Sequence, residues 1–310
     1  MLTTRLIPWM LAIGTLGAQG DARPQQTGLR EPVHLSFGVY TSERATTMYE
    51  TFAPVLEELA RDIGSRLKRE AKIQLRVYKS YDDALLAFTK GEVDFVRFGP
   101  ASYVLAKQQA PGIQLLAAEQ EDGQKRCKGV IVVRADSAIQ ALADLKGKKI
   151  AFGDDNSTIG RYLAQAELAS AGLHARDLAK FTYLGRHDKV AKAIEMGDFD
   201  AGPVHIATFE TINETIKNPR SKLRVIATFE NVGKPWIARS GLDDTVTKAL
   251  GAALLAMASK KHLDILKVHG FLPAQDQDYD LVRRGMKHAE DFEGIPATPG
   301  PETASRPASR

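Results

Sequence analysis

The chain has 310 residues, 44% hydrophobic and 26% charged, which is enough to bury one large core or two smaller ones and is ordinary for a soluble globular protein. Its 42 basic and 38 acidic residues leave a formal net charge of +4, spread along the chain. With no interleaved aromatic and basic runs, that balance argues against nucleic acid as a partner and mildly favours small anions.

In chain order, residues 1–22 read as a secretory signal peptide. Arg5 gives a basic start, an apolar run from Leu6 to Ala18 is interrupted by Pro8, and small residues follow at Gly17, Ala18 and Gly20. The apolar run is too short for a permanent anchor. Cleavage between Ala18 and Ala22 therefore predicts a mature chain in a bacterial periplasm with no membrane anchor. A strand is expected from Val33 to Val39, followed by the polar turn Tyr40, Thr41, Ser42, Glu43. An amphipathic helix from about Met48 to Lys68 carries Phe52, Leu56, Leu59, Ile63 and Leu67 at three- and four-residue spacings, and a strand follows from Ile73 to Tyr78. The alternation of strand and helix continues for most of the chain, which indicates an α/β fold with parallel neighbours.

An internal repeat appears when the chain is shifted by 106 positions. Asp82, Gly91 and Asp94 lie over Asp188, Gly197 and Asp200. In both copies a helix ends at a glycine and feeds a strand, with Tyr81 opening one copy and His187 the other. Between the copies, the run from Lys149 to Tyr162 reads as a strand stopping at the mouth of a helix. Ser157 stands where an N-cap belongs, so the next backbone N–H groups point outward at the positive end of the helix dipole, as an ordinary cap or as an anion trap. Further on, Val225 to Phe229 reads as a strand that Pro235 ends, and an apolar helix from Asp244 to Ser259 is expected to pack back on the first lobe. Residues 293–310, rich in Pro, Ala and Ser, are expected to be a disordered tail.

Cys127 is the single cysteine. An unpaired thiol in an oxidising compartment is either buried and inert or kept for reactivity, and Lys125, Arg126 and Lys128 would lower its pKa if they lie close to it.

Several segments together resemble the periplasmic phosphonate-binding family, the substrate-binding components of phosphate, phosphite and phosphonate ABC transporters. They are Phe37 to Glu43, Gly91 to Tyr103, Leu145 to Gly153, Asn156 to Gly160 and Gly185 to Asp188, in consistent order and spacing. The resemblance implies a two-lobed type II periplasmic-binding fold with a ligand held in the cleft between lobes. Lobe 1 would span 31–128 and 234–292 and lobe 2 would span 129–233, with closure about crossovers near Arg126 to Arg134 and Ala227 to Pro235. It further implies that Ser157 and Thr158 hold ligand oxygens and that His187 is the cleft histidine. Tyr40, Thr41, Ser42 and Phe98 stand on converging loops and helix starts.

The departures point to a different ligand. Ile159 stands where a third small hydroxyl is common and Phe98 where a tyrosine is common, and each unmade bond to a buried anion costs about 1–3 kcal/mol. Cys127 falls where a cleft-facing aromatic can stand. A thiol suits trivalent arsenic, which bonds sulfur and is a neutral hydroxide near pH 7. A subset of the family is similar in this respect: arsenite-binding proteins that report to a sensor histidine kinase. The expectation is a periplasmic binding protein for a small oxyanion or oxyacid, with arsenite bound through Cys127 and presented to such a kinase. The alternative is the phosphate-, phosphite- or phosphonate-binding component of an ABC importer that docks on a permease. No nucleophile motif, paired metal-ligand spacing or phosphate-binding glycine loop is present, so no enzyme activity and no cofactor are expected.

Overall fold

The computed structural model describes residues 31–41 and 44–294. The expectations for the signal peptide, for Ser42 and for the tail beyond Gly294 fall outside them. The chain enters at β1 (Val33–Tyr40) and continues through α1 (Ala45–Leu67), β2 (Ala71–Tyr78), α2 (Tyr81–Thr89), β3 (Phe95–Arg97), α3 (Pro100–Gln109) and β4 (Gln114–Gln120). β1 is buried along nearly its whole length, as a central strand covered on both faces must be. β2 alternates half-buried and exposed side chains over most of its length, the pattern of an edge strand. α1 turns Phe52, Val55, Leu56, Leu59 and Ile63 onto the sheet, and Ser80 caps α2 by accepting from the Asp83 amide at 3.0 Å.

The chain then crosses to a second sheet through β5 (Arg126–Arg134), β6 (Lys149–Phe152), a wide π turn at Thr158–Tyr162, α4 (Leu163–Ser170), β7 (Lys180–Tyr183), α5 (His187–Met196), β8 (Ala201–His205), α6 (Ile206–Thr215) and β9 (Leu223–Val232). It returns as β10 (Pro235–Ala238), α7 (Asp244–Ala256), α8 (Lys260–Leu266), β11 (Gly270–Leu272) and α9 (Asp280–Glu293). Pro235 opens β10 rather than ending a strand. The first residue of a strand is a place where a missing N–H is tolerated.

The first sheet runs β11-β4-β10-β3-β1-β2 and the second β7-β6-β8-β5-β9. β1 is parallel to β2 and β3, β6 is parallel to β7 and β8, and β5 pairs antiparallel with β8 and β9. Helices cover both faces of each sheet. In the first, Phe95 points into one core with Phe37 and Trp236, whereas its neighbour Val96 points into the other with Phe88 and Phe98. Phe152, Ile159 and Leu163 fill one face of the second sheet, while Val190, Ile194 and Val204 fill the other. α7 packs into the first sheet's core through Val246, Leu250 and Leu254.

The C-terminal helix serves both halves. Val282, near its start, belongs to a core of the first sheet. At its end, Phe292 sits 5.7 Å from the Phe152 ring and 6.0 Å from the Phe181 ring in the second, and Glu293, the first residue of the expected tail, is helical and pairs with Arg161 at 2.9 Å.

The two crossovers run side by side. β5 and β9 pair from Arg126 opposite Val232 to Arg134 opposite Leu223, so most of the segments expected to hinge are built into the second sheet. Beyond them, the Gly233 amide donates to the Lys125 carbonyl at 3.1 Å and the Glu119 amide to the Lys234 carbonyl at 3.0 Å.

Candidate functional site

The carboxyl ends of β1, β3, β6 and β8 open toward one cavity of about 220 Å³ between the two sheets. Ligands of open α/β sheets bind outside the carboxyl ends of the strands. Five helical segments also begin there. Tyr81 opens α2, Gly99 and Pro100 begin α3, Ser157 precedes the π turn into α4, His187 opens α5, and His205 precedes α6. Each start adds partial positive charge to the same small volume.

The internal repeat explains this convergence. α3 at Pro100–Gln109 and α6 at Ile206–Thr215 stand 106 positions apart at both ends, as do the starts of α2 and α5. Gly91 and Gly197, which end the repeat's helices, have φ of +76° and +80°, in the left-handed region that glycine adopts freely. The shift therefore sets His205 over Gly99, each capping a helix at the cleft. Sequence reasoning missed His205, and continuing the repeat past Asp200 would have found it.

On the first wall, the Tyr40 hydroxyl accepts from the Gly99 amide, and the ring stacks 3.6 Å from Tyr81. Phe98 lies 5.6 Å from the Tyr40 ring. Behind them the Arg97 guanidinium donates to Glu119, Nη2 to Oε2 at 2.9 Å, and the Trp236 indole donates to the same carboxylate at 3.0 Å.

On the opposite wall, Ser157 Oγ accepts from the Gly160 amide at 2.9 Å, which makes Ser157 a helix cap. Thr158 Oγ1 accepts from the Ala101 amide at the start of α3, at 2.8 Å, and Asn156 Nδ2 donates to Asp82 Oδ1 at 2.8 Å. Both bonds join the two walls across the cleft. Thr158 keeps its own hydroxyl proton for donation, while the Ser157 side chain also bonds the Tyr81 hydroxyl. The loop is held tight by glycine: a Cβ on Gly160 would lie 2.8 Å from the Gly153 Cα.

His187 Nδ1 has no hydrogen-bond partner among the described residues, and the Pro203 carbonyl serves the ring as an acceptor. Burial, helped by the charge of Lys234, lowers the His187 pKa to about 4, so the ring is neutral at pH 7. Burial also holds His205 well below the usual histidine range and raises Glu121.

Cys127 lines the cavity and is buried. Its thiol approaches the Val232 carbonyl at 3.6 Å and accepts from Asn231 Nδ2 at 3.4 Å. The expected activation by neighbouring cations is not realised: Lys125 pairs with Asp278 and Arg126 with Glu230, and burial pushes the thiol up to about 12. One ligand atom each from Glu121, Cys127 and His205 lies within 4.8 Å of the others.

Tyr40, Phe98, Cys127, Ser157, Thr158 and His187 thus meet at one cavity. Thr41 does not, since its hydroxyl donates to the Lys79 carbonyl at 2.9 Å. Arg97, Glu119, Glu121, Asn231 and Lys234 also line the cavity. Nothing local in the sequence marks them, because they come from strand ends far apart in the chain.

Asp154, near the start of the loop after β6, has its pKa raised to about 6 by burial first and then by Asp155 and Asp82, against the Asn156 amide that donates to it. A raised carboxyl pKa means that this group's stabilising contribution is fully present below the unfolded value near 4 and is lost as pH rises through 6. Asp154→Asn should therefore raise the melting temperature at pH 7–8 and flatten the gain that the parent shows between pH 7 and pH 5. Superimposable melting-temperature profiles for parent and variant would contradict this.

Two sheets flanked by helices, crossovers between them and a cleft lined by helix starts from both halves define a two-lobed binding protein. The chain matches the family described as ABC transporter, phosphonate, periplasmic substrate-binding protein over residues 37–279 and belongs to it. It is 27% identical over 271 residues, 81% of this chain and 88% of the relative, to the probable ABC transporter phosphite binding protein PhnD1 of Prochlorococcus marinus. It is 25% identical over 314 residues, 92% and 94% of the two chains, to the phosphate-import protein PhnD of Mycolicibacterium smegmatis. Among solved structures, PhnD1 of Prochlorococcus marinus in complex with methylphosphonate superposes with a TM-score of 0.70 at 25% identity, covering 81% of this chain and 96% of that one. A binding protein component of an ABC phosphonate transporter from Pseudomonas aeruginosa gives a TM-score of 0.73 at 19% identity, covering 88% and 92%. The fold is the type II periplasmic-binding-protein fold.

Proposed function

We propose that the chain is the binding component of an ABC importer for a small phosphorus oxyanion (phosphate, phosphite or a short phosphonate), captured in the interlobe cleft in the periplasm and delivered to a membrane permease. The observation that carries this reading is the convergence of five helix starts, with Lys234 beside them, on a cavity of about 220 Å³. That volume is below the roughly 300–1,000 Å³ of sites for drug-sized ligands. Ser157 and Thr158 donate their hydroxyl protons to ligand oxygens. The bare Nδ1 of neutral His187 accepts from a protonated ligand oxygen, which favours a monoanion over a fully ionised species. The relatives named for phosphite and phosphate support the same class.

A second reading rests on Cys127, whose thiol lines the cavity. Arsenite would exchange one hydroxide for this sulfur, the thiol proton leaving with the hydroxide as water. The protein would then present arsenic to a sensor histidine kinase rather than a phosphorus oxyanion to a permease.

Calorimetry of the mature chain with phosphite, methylphosphonate, phosphate and arsenite separates the two. On the importer reading a phosphorus oxyanion binds, its affinity falls with salt, and Cys127→Ser changes little. Absence of binding by all three phosphorus ligands overturns that reading. Arsenite binding that is insensitive to salt and abolished by Cys127→Ser would establish the second.

A further inference from the structure

We propose that Glu121, Cys127 and His205 form a site for one thiophilic divalent cation of the zinc type, set in the wall of the cleft where the crossovers leave the second sheet. Three side chains of the right chemistry are brought together by three separate devices. Glu121 opens a tight turn, Glu121 to Gln124, whose central Asp122 and Gly123 have φ of +49° and +75° and whose ends exchange two backbone bonds at 2.9 and 3.0 Å. Cys127 lies near the start of β5. His205 ends β8, where it stands opposite Gly129 of β5, so Cys127, two residues away, points to the same face. A thiolate, a carboxylate and a neutral imidazole are the ligand set of a zinc-type ion, and their two negative charges balance its charge against the nearby Lys234.

The three ligand atoms lie within 4.8 Å of one another, and His205 Nε2 is 4.0 Å from Glu121 Oε1. Bond lengths of about 2.0–2.3 Å in a tetrahedron require edges of about 3.3–3.8 Å. A contraction of up to about 1.5 Å closes the site around an ion.

A second observation at the same place is independent of the triad. Asn231, opposite Cys127 on β9, is 2% exposed, donates through Nδ2 to the Cys127 sulfur, and leaves Oδ1 without a partner among the described residues. An unsatisfied buried acceptor is costly. A water or hydroxide in the fourth position of the ion would donate to it, while the Nδ2 bond would hold the thiolate as an outer-shell partner.

Loading balances with release of one proton, from the thiol. The imidazole proton moves from Nε2 to Nδ1, which gives up its 3.2 Å bond from the Ala207 amide. The proposal is compatible with any phosphorus oxyanion in the cleft and competes with arsenite, which would occupy the same sulfur.

The test is a titration of the untagged mature chain with Co²⁺, read by absorption. Cys127 is the only cysteine, so a sulfur-to-cobalt charge-transfer band can arise from no other residue. The expected result is a band that saturates at one equivalent, is displaced by Zn²⁺ and is absent in Cys127→Ser. His205→Ala and Asn231→Ala should weaken Co²⁺ affinity by about 10–100-fold. Circular dichroism of each variant establishes that it is folded; were Cys127→Ser to misfold, the band of the unaltered chain and the weakened Co²⁺ affinity of His205→Ala still decide. No charge-transfer band in the unaltered chain, or binding retained by folded Cys127→Ser, overturns the site. Phosphite calorimetry in the presence of a chelator reports separately on the oxyanion reading.

Discussion

Glu119→Ala is expected to destabilise the protein by about 3–5 kcal/mol, because it removes one partner of a buried ion pair. The Arg97 and Glu119 side chains are 12% and 6% exposed, and the carboxylate accepts from both the guanidinium and the fully buried Trp236 indole. The variant takes this carboxylate from the guanidinium and the acceptor from the indole N–H, beside a core that holds Phe37, Phe52 and Phe95. Replacing both members, Arg97→Met with Glu119→Met, should recover most of the loss, since a buried pair and a well-packed apolar pair of similar volume are often nearly equal in stability. Urea unfolding measures both. A cost below about 1 kcal/mol for Glu119→Ala would mean that the pair is effectively solvated.

Gly233→Ala is expected to cost about 1–3 kcal/mol or more and to weaken ligand binding with it. A Cβ at this position would lie 1.9 Å from the Glu119 carbonyl oxygen. That neighbour is backbone, so no rotamer change relieves the clash, and the crossovers would have to separate. Such a separation breaks the bonds from Gly233 to Lys125 and from Glu119 to Lys234 and shifts Asn231 and Lys234, which line the cavity. Gly129→Ala makes an informative comparison: its Cβ would meet the Phe229 ring at 2.3 Å, a clash inside the β5–β9 pairing rather than at the Gly233–Lys125 and Glu119–Lys234 bonds. Equal ligand affinity in parent and Gly233→Ala, measured by calorimetry, would show that crossover spacing does not set the cleft.

Local sequence determined the alternation of strand and helix, the amphipathic α1, the Ser157 cap and the 106-residue repeat that starts helices at Tyr81 and His187. These features follow from periodicity, caps and left-handed glycines, which act within a few residues of themselves. Whether Cys127 is activated could not be read that way. Three neighbouring cations suggest a lowered pKa, but Lys125 and Arg126 pair with Asp278 and Glu230, and desolvation first, with the charge of Glu121 next, raises the thiol instead. Only the tertiary structure set Glu121, Asn231 and His205 around that sulfur and closed Thr158 onto the start of α3. Strand pairing here joins residues about 70 to 106 positions apart, and no local pattern records which side chains then share a face.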